Sequence, residues 1–307
     1  MTKVLVATVK PFIPESVEQI KEIASEAGYE FVLLENYADQ QEFIDAVADV
    51  DAVIIRSDKA TREVIEAAEN LKIIVRAGAG YDNIDLEAAT EKGVVAMNTP
   101  GQNSNAVAEL ALGMMVYWAR NGYNGKAGTE LRGKKLGLLA YGNVGKHIAR
   151  IAHGFGMQVF SFDPFIPKEV IEEDGVGCVE TAEALFSTCS FISTNIPANE
   201  QTIGSINYEL MMKMPGPAVL VNPARKEIIH EDDLLRVYAN REDFTYISDV
   251  APDCADVLAE KYPGRFFFTP KKMGAQTAEA NINAGVAAII QIREYLENGD
   301  TTFQVNK

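Results

Sequence analysis

Short apolar runs alternate with longer stretches of helical period along most of the chain. Runs at Val4–Val9, Phe31–Leu34, Ala52–Arg56, Ile73–Arg76 and Val94–Met97 predict five strands. Between the first two lies Pro14–Ala27, where Val17, Ile20, Ile23, Ala24 and Ala27 recur at helical spacing. Pro14 suits a first turn and Gly28 a stop, so a helix is expected there. Strand–helix alternation of this kind predicts a parallel sheet covered by helices on both faces. A polar, turn-rich stretch, Asn98–Asn105, closes this unit near residue 98, and a helix over about Ala106–Arg120 opens the next. Further strands are expected at Leu136–Ala140, Val159–Asp163, Phe191–Asn195, Val219–Asn222, Tyr246–Val250 and Phe266–Thr269. A long helix over roughly Thr277–Glu297 follows. The fold class is α/β, with two doubly wound parallel-sheet domains; the pattern does not show which domain takes the last helix.

Length agrees, since 307 residues at about 150 per domain make about two domains. Asp and Glu outnumber Lys and Arg by 44 to 28, a net charge of −16. Nucleic-acid affinity rests on neutralising phosphates, so this balance argues against such a partner. The longest apolar run, Ala106 to Ala119, is broken by Glu109 and falls short of the ~18 residues a membrane span needs. The first residues read directly as a strand, with no signal-peptide pattern. Cys178, Cys189 and Cys254 have neither metal nor redox spacing. Buried thiols in a reducing cytoplasm are expected, with no metal.

The strand Leu136–Ala140 runs into Ala140-Tyr141-Gly142-Asn143-Val144-Gly145 and then a helix over Val144–Phe155. This is Gly-x-Gly-x-x-Gly with alanine first. Gly142 would let the backbone approach a pyrophosphate, and Gly145 would let helix and strand pack closely. The helix N-terminus offers amides and a positive dipole end to phosphates. Asp163 ends the next strand, 18 residues beyond Gly145, where a carboxylate accepts ribose hydroxyls and repels a 2′-phosphate. NAD is therefore the expected cofactor, with a slightly wider first turn expected to accommodate Ala140.

Ligands of open α/β sheets bind beyond the carboxyl ends of the strands. Arg56-Ser57 and Arg76-Ala77-Gly78-Ala79-Gly80 stand there in the first domain, and the glycines would expose amides to an anion. Arg225 follows Val219–Asn222, its planar fork suited to a carboxylate. Lys271 and Lys272 follow Phe266–Thr269. His147, His153 and His230 read as solvated or structural.

Together these residues resemble the D-2-hydroxyacid dehydrogenase family across nearly the whole chain. The resemblance is carried by Arg76–Asp85, Asn98–Glu109, Tyr141–Gly145, Asp163-Pro164, Val221–Arg225 and Ser248–Val250. Within it the chain is most similar to the lysine-bearing branch of short phosphoglycerate dehydrogenases, which has no C-terminal regulatory domain. The resemblance implies a flavodoxin-like substrate domain, residues 1–98 plus about 278–307, and a Rossmann NAD-binding domain over about 99–277. It also implies a homodimer. Gly142, Asn143, Val144, Gly145, Asp163, Ile196, Pro223, Asp249, Gly274 and Ala275 match cofactor positions, Asp249 near the nicotinamide carboxamide. Arg56, Ser57, Arg76, Gly78, Ala79 and Asn98 match substrate positions, and Arg225 matches the arginine on the substrate carboxylate and carbonyl.

The chain departs from the family at two places. The usual acid/base histidine is replaced within Pro270-Lys271-Lys272-Met273-Gly274-Ala275, and one extra residue leaves Lys272 or Lys271 at its position. The glutamate that pairs with it is missing; Asp253 or Cys254 stands in its place, with Asp256 nearby. The two departures are coherent, because an amine starting near 10.4 must come down to serve as a base, and a carboxylate partner would oppose that. Arg225, the second lysine and partial burial are expected to push it down. The implied reaction is NAD-dependent oxidation of 3-phospho-D-glycerate, a phosphorylated 2-hydroxy acid. The alternatives are a glyoxylate or hydroxypyruvate reductase, or a non-catalytic NAD-sensing protein.

Overall fold

The computed structural model describes residues 1–306. The chain forms two compact units, one of residues 1–103 and 276–306, the other of Ser104–Ala275. Among the described residues no helix is long and apolar enough to cross a membrane.

In the first unit β1 (Lys3–Thr8), β2 (Glu30–Glu35), β3 (Ala52–Ile55), β4 (Ile73–Arg76) and β5 (Val95–Asn98) pair in the order β2-β1-β3-β4-β5. Every pairing is parallel. Val4, Val6, Ile54, Ile73 and Val75 pack on one face with Phe12, Ile20 and Ile289, while Leu5, Val53, Ile55 and Ile74 pack on the other with Phe43, Val47 and Ile65. Burial on both faces is why these strands read as continuous apolar runs. The helix Pro14–Glu26 has its proline at the first position, as the punctuation predicted. The winding reverses between β1 and β3, the flavodoxin-like arrangement.

The final helix, Ala278–Asn298, belongs to this unit; the Thr277 side chain caps its start, and left-handed Gly299 ends it. Beyond it, Asn306 Oδ1 accepts a bond from the Ala96 amide (2.8 Å), and its Nδ2 donates to the Val94 carbonyl (2.8 Å). These bonds and a bridge between Met97 and Gln304 attach the last residues to the β5 edge.

The second unit holds β6 (Lys135–Leu139), β7 (Gln158–Phe162), β8 (Gly177–Cys178), β9 (Phe191–Thr194), β10 (Ala218–Asn222), β11 (Phe244–Ser248) and β12 (Phe266–Phe268). They pair in the order β12-β11-β10-β9-β6-β7-β8, all parallel. This is the doubly wound order of dinucleotide-binding folds with one strand added, and the winding reverses between β6 and β9. The opening helix runs Ser104–Ala119, two residues ahead of the expected start, and is buried through Ala108, Ala111, Leu112 and Met115. The two-residue edge strand β8 has no counterpart in the sequence reading, because it is too short to show a period.

Candidate active site

The turn after β6 places the helix Asn143–Gly154 directly beyond the strand, with Gly142 as its N-cap. A Cβ at Gly145 would lie 2.5 Å from the Ala140 carbonyl oxygen, so only glycine allows helix and turn to approach this closely. A Cβ at Gly142 would meet no atom within 4 Å, so the space beside the helix start is open. Ala140 takes φ +78°, a left-handed conformation. The wider turn expected for this alanine is not what the chain adopts: it keeps the glycine-type geometry and carries the strain.

Asp163 braces this turn. Its Oδ2 accepts the Tyr141 amide (2.8 Å), and its Oδ1 accepts the Phe165 and Ile166 amides at 2.8 and 3.2 Å. A carboxylate has about four lone-pair sites, so about one remains for a ribose hydroxyl. An open helix N-terminus, a turn without a side chain at Gly142 and an acceptor at the end of β7 fit a dinucleotide whose ribose carries no 2′-phosphate.

In the first unit, Arg56 and Arg76 end β3 and β4 as expected, but their guanidiniums are engaged. Arg56 Nη1 donates to the Lys10 and Pro11 carbonyls (2.9 and 2.8 Å), Nη2 donates to Asn281 Oδ1, and the group lies 4.9 Å from the Phe12 ring centroid. Burial pulls its pKa below the usual arginine value, against the opposing charges of Asp58 and Glu35. Arg76 Nε donates to the Arg56 carbonyl (2.9 Å). Its Nη1 lies 1.8 Å from where a Gly78 Cβ would stand, so glycine there makes room for the arginine. Asn98 Nδ2 donates to the Ala79 carbonyl (2.6 Å), and Ser57 is exposed beside Arg56.

Two residues of this region went unread in the sequence. Asn83 Nδ2 donates to the carbonyls of Arg56 and Asp58 (3.2 and 2.6 Å), tying the two strand-end loops together. Asp58, buried, accepts from the Val9 amide (2.6 Å) and the Tyr37 hydroxyl (2.8 Å). Asn83 lies inside the stretch that carried the resemblance, but its partners are 25 or more residues away and leave no local pattern.

The second unit brings Arg225 and Lys272 together. Buried Asn222 shapes the turn after β10: its Oδ1 accepts the Ala224 amide (3.0 Å), and its Nδ2 donates to the Arg225 carbonyl (2.8 Å). Both Arg225 Nη1 (3.1 Å) and Lys272 Nζ (3.0 Å) donate to the Ala224 carbonyl oxygen. Guanidinium and amine thus converge on one atom. Lys271 offers only its carbonyl, which lies 2.8 Å from Thr269 Oγ1; its amine has no hydrogen-bond or ion-pair partner among the described residues. Both lysine side chains are exposed, so the expected partial burial is not found; a nearby Arg225 is. Ile196 and Pro223 follow β9 and β10, and Gly274 and Ala275 close the lysine loop.

At the place of the missing glutamate, Asp253 is ion-paired with Lys226. The amides of Asp253 and Cys254 donate to the two carboxylate oxygens of Glu231 (2.8 and 2.7 Å), a residue the sequence reading passed over. Burial, with Glu231 beside it, pushes the Cys254 thiol up to about 12. Asp256 is exposed in the first turn of the helix Ala255–Lys261. His230 caps the helix Glu231–Asn240, Nδ1 accepting the Asp233 amide (3.3 Å), in keeping with a structural role.

A doubly wound domain with this phosphate turn, joined in one chain to a flavodoxin-like unit with arginines at its strand ends, defines a class. The catalytic-domain model of the D-isomer specific 2-hydroxyacid dehydrogenases matches residues 4–306, and the chain belongs to that family. Among solved structures, an NAD⁺-bound 3-phosphoglycerate dehydrogenase from Entamoeba histolytica is 48% identical, with a TM-score of 0.87 over 100% of this chain and 99% of that one. The D-3-phosphoglycerate dehydrogenase of Methanocaldococcus jannaschii is 36% identical over 84% of this chain and 52% of its own. The hydroxypyruvate reductase of Thermotoga maritima is 34% identical over 86% of this chain and 90% of its own. The chain spans about half the length of the curated phosphoglycerate dehydrogenases it matches.

Proposed function

We propose that this protein oxidises 3-phospho-D-glycerate to 3-phosphohydroxypyruvate with NAD, the step that opens serine synthesis, and that it works as a cytoplasmic homodimer. The observation that carries the reading is the convergence of Arg225 and Lys272 on the Ala224 carbonyl. A guanidinium fork beside an amine is what a 2-hydroxy acid needs. Arg225 holds the carboxylate and steadies charge on the C2 oxygen, and the neutral amine of Lys272 takes the hydroxyl proton. Lys271 remains the second candidate base. When bound, NAD supplies the hydride acceptor. Gly142, Asn143, Val144 and Asp163 would hold its diphosphate and ribose. The distal phosphate is assigned to Arg76, Ser57 and the amides of Gly78 and Ala79; Arg56 adds charge while its side chain secures the neighbouring loop.

The test is the initial rate of NADH formation with phosphoglycerate and with glycerate, across pH, for the parent protein, Lys271→Ala and Lys272→Ala. Lys272→Ala is expected to lower kcat by about 100-fold or more, and the oxidative rate to rise toward alkaline pH as the amine loses its proton. Full kcat in both variants would remove the lysine mechanism. The Thermotoga maritima relative supports a second reading, reduction of hydroxypyruvate. A preference for glycerate over phosphoglycerate would select it.

A further inference from the structure

We propose that the Asp249 carboxylate is a positioning residue, which sets where the Lys272 amine stands by holding the loop that carries it; this rests on the reading that Lys272 takes the substrate proton. Asp249 is 1% exposed. Its Oδ1 accepts the Met273 amide (2.7 Å), and its Oδ2 accepts the Gly274 amide (2.8 Å). Thr269 Oγ1 lies 2.9 Å from the same Oδ1 and 2.8 Å from the Lys271 carbonyl oxygen. One carboxylate therefore grips the loop at residue 269 and at 273–274, with both lysines between the grips. Bonds to an ionised acceptor are roughly twice as strong as neutral ones.

The seat has no slack. A Cβ at Gly274 would come within 2.9 Å of Asp249 Oδ2 and 3.1 Å of Val107 Cγ2. Asp249 is itself fixed, its amide donating to the Asn222 carbonyl (2.9 Å), and Asn222 shapes the turn that presents Arg225. Loop and arginine turn are thus referenced to the same pair of residues. The resemblance puts Asp249 near the nicotinamide carboxamide; of the about four lone-pair sites of its carboxylate, three face the loop.

Asp249→Asn, Lys272→Ala and the double variant separate the two roles. Asp249→Asn puts a donor opposite an amide and is expected to lower kcat about 100-fold, with NADH dissociation changed less than about 3-fold. In the Lys272→Ala background the same change is expected to cost no more than about 2-fold, because the group being positioned is already gone. A loss that multiplies independently in the double variant overturns the proposal, as does weakened NADH binding with kcat intact at saturation. Should Asp249→Asn fail to fold, Thr269→Val removes one grip, and its roughly 10-fold loss must likewise vanish without Lys272. Full kcat in Lys272→Ala removes the underlying mechanism too, whereas an inactive Lys272→Ala beside a fully active Asp249→Asn removes only the positioning role.

Discussion

Ala140 shows what one side chain costs at a constrained place. A left-handed alanine is disfavoured by roughly 1–2 kcal/mol, and glycine returns part of that through its unfolded-state freedom. Ala140→Gly is therefore expected to stabilise the second unit by about 1 kcal/mol, seen as a higher urea midpoint at unchanged slope. A lower midpoint would mean that the methyl packs usefully. The thiols give a second test at this scale. Burial pushes Cys189 and Cys254 up to about 12, and Cys178 upward as well. All three should react slowly with a disulfide reagent at pH 8 and quickly in denaturant. Arg56, Arg76 and Arg225 were legible in the sequence because basic residues after apolar runs stand out in an acidic chain. Their acceptors were not legible, since Lys10, Pro11 and Asn281 reach Arg56 only through the fold.

At the scale of elements, parallel strands buried on both faces announced themselves as apolar runs, and capped helices by their punctuation. Boundaries moved where a polar side chain intervened: the strand expected to reach Thr269 stops at Phe268, and Thr269 turns its hydroxyl toward Asp249. Arg56 links three elements, the loop after β1, the end of β3 and the final helix through Asn281. Arg56→Met would leave the Lys10 and Pro11 carbonyls without these bonds. The expected cost is about 1–2 kcal/mol, reduced because part of the site is solvent-exposed. Hydrogen exchange should quicken in the helix Ala278–Asn298, with the helix Asn143–Gly154 unaffected. Equal quickening in both would contradict a local latch.

For the molecule as a whole, two domains followed from length and alternation, but the return of the last helix to the first unit could not be read from periodicity, which carries no long-range address. The charge balance does bear on stability. Burial would raise Asp51, but the Lys3 amide and the Lys72 ammonium outweigh it and hold it below the usual range. Arg241 holds Asp243 down directly; at Asp233 burial is outweighed by the Tyr208 amide and Arg236. Lowered folded values mean that this stability is complete above the unfolded pKa of about 3.9 and is lost as pH falls through the folded values. Urea midpoints should hold from pH 7 to pH 5 and drop by pH 3; a midpoint at pH 3 equal to that at pH 7 would exclude these carboxylates as contributors.

The attachment of Asn306 and Gln304 to the edge of β5 has a temporal meaning. During translation the opening 103 residues leave the ribosome without the helix and edge partner that finish their unit, whereas Ser104–Ala275 emerge with all of theirs. The middle of the polypeptide is thus set to mature before its beginning, and a released chain truncated after Ala275 should already protect the central segment from protease while the amino-terminal segment is still cut.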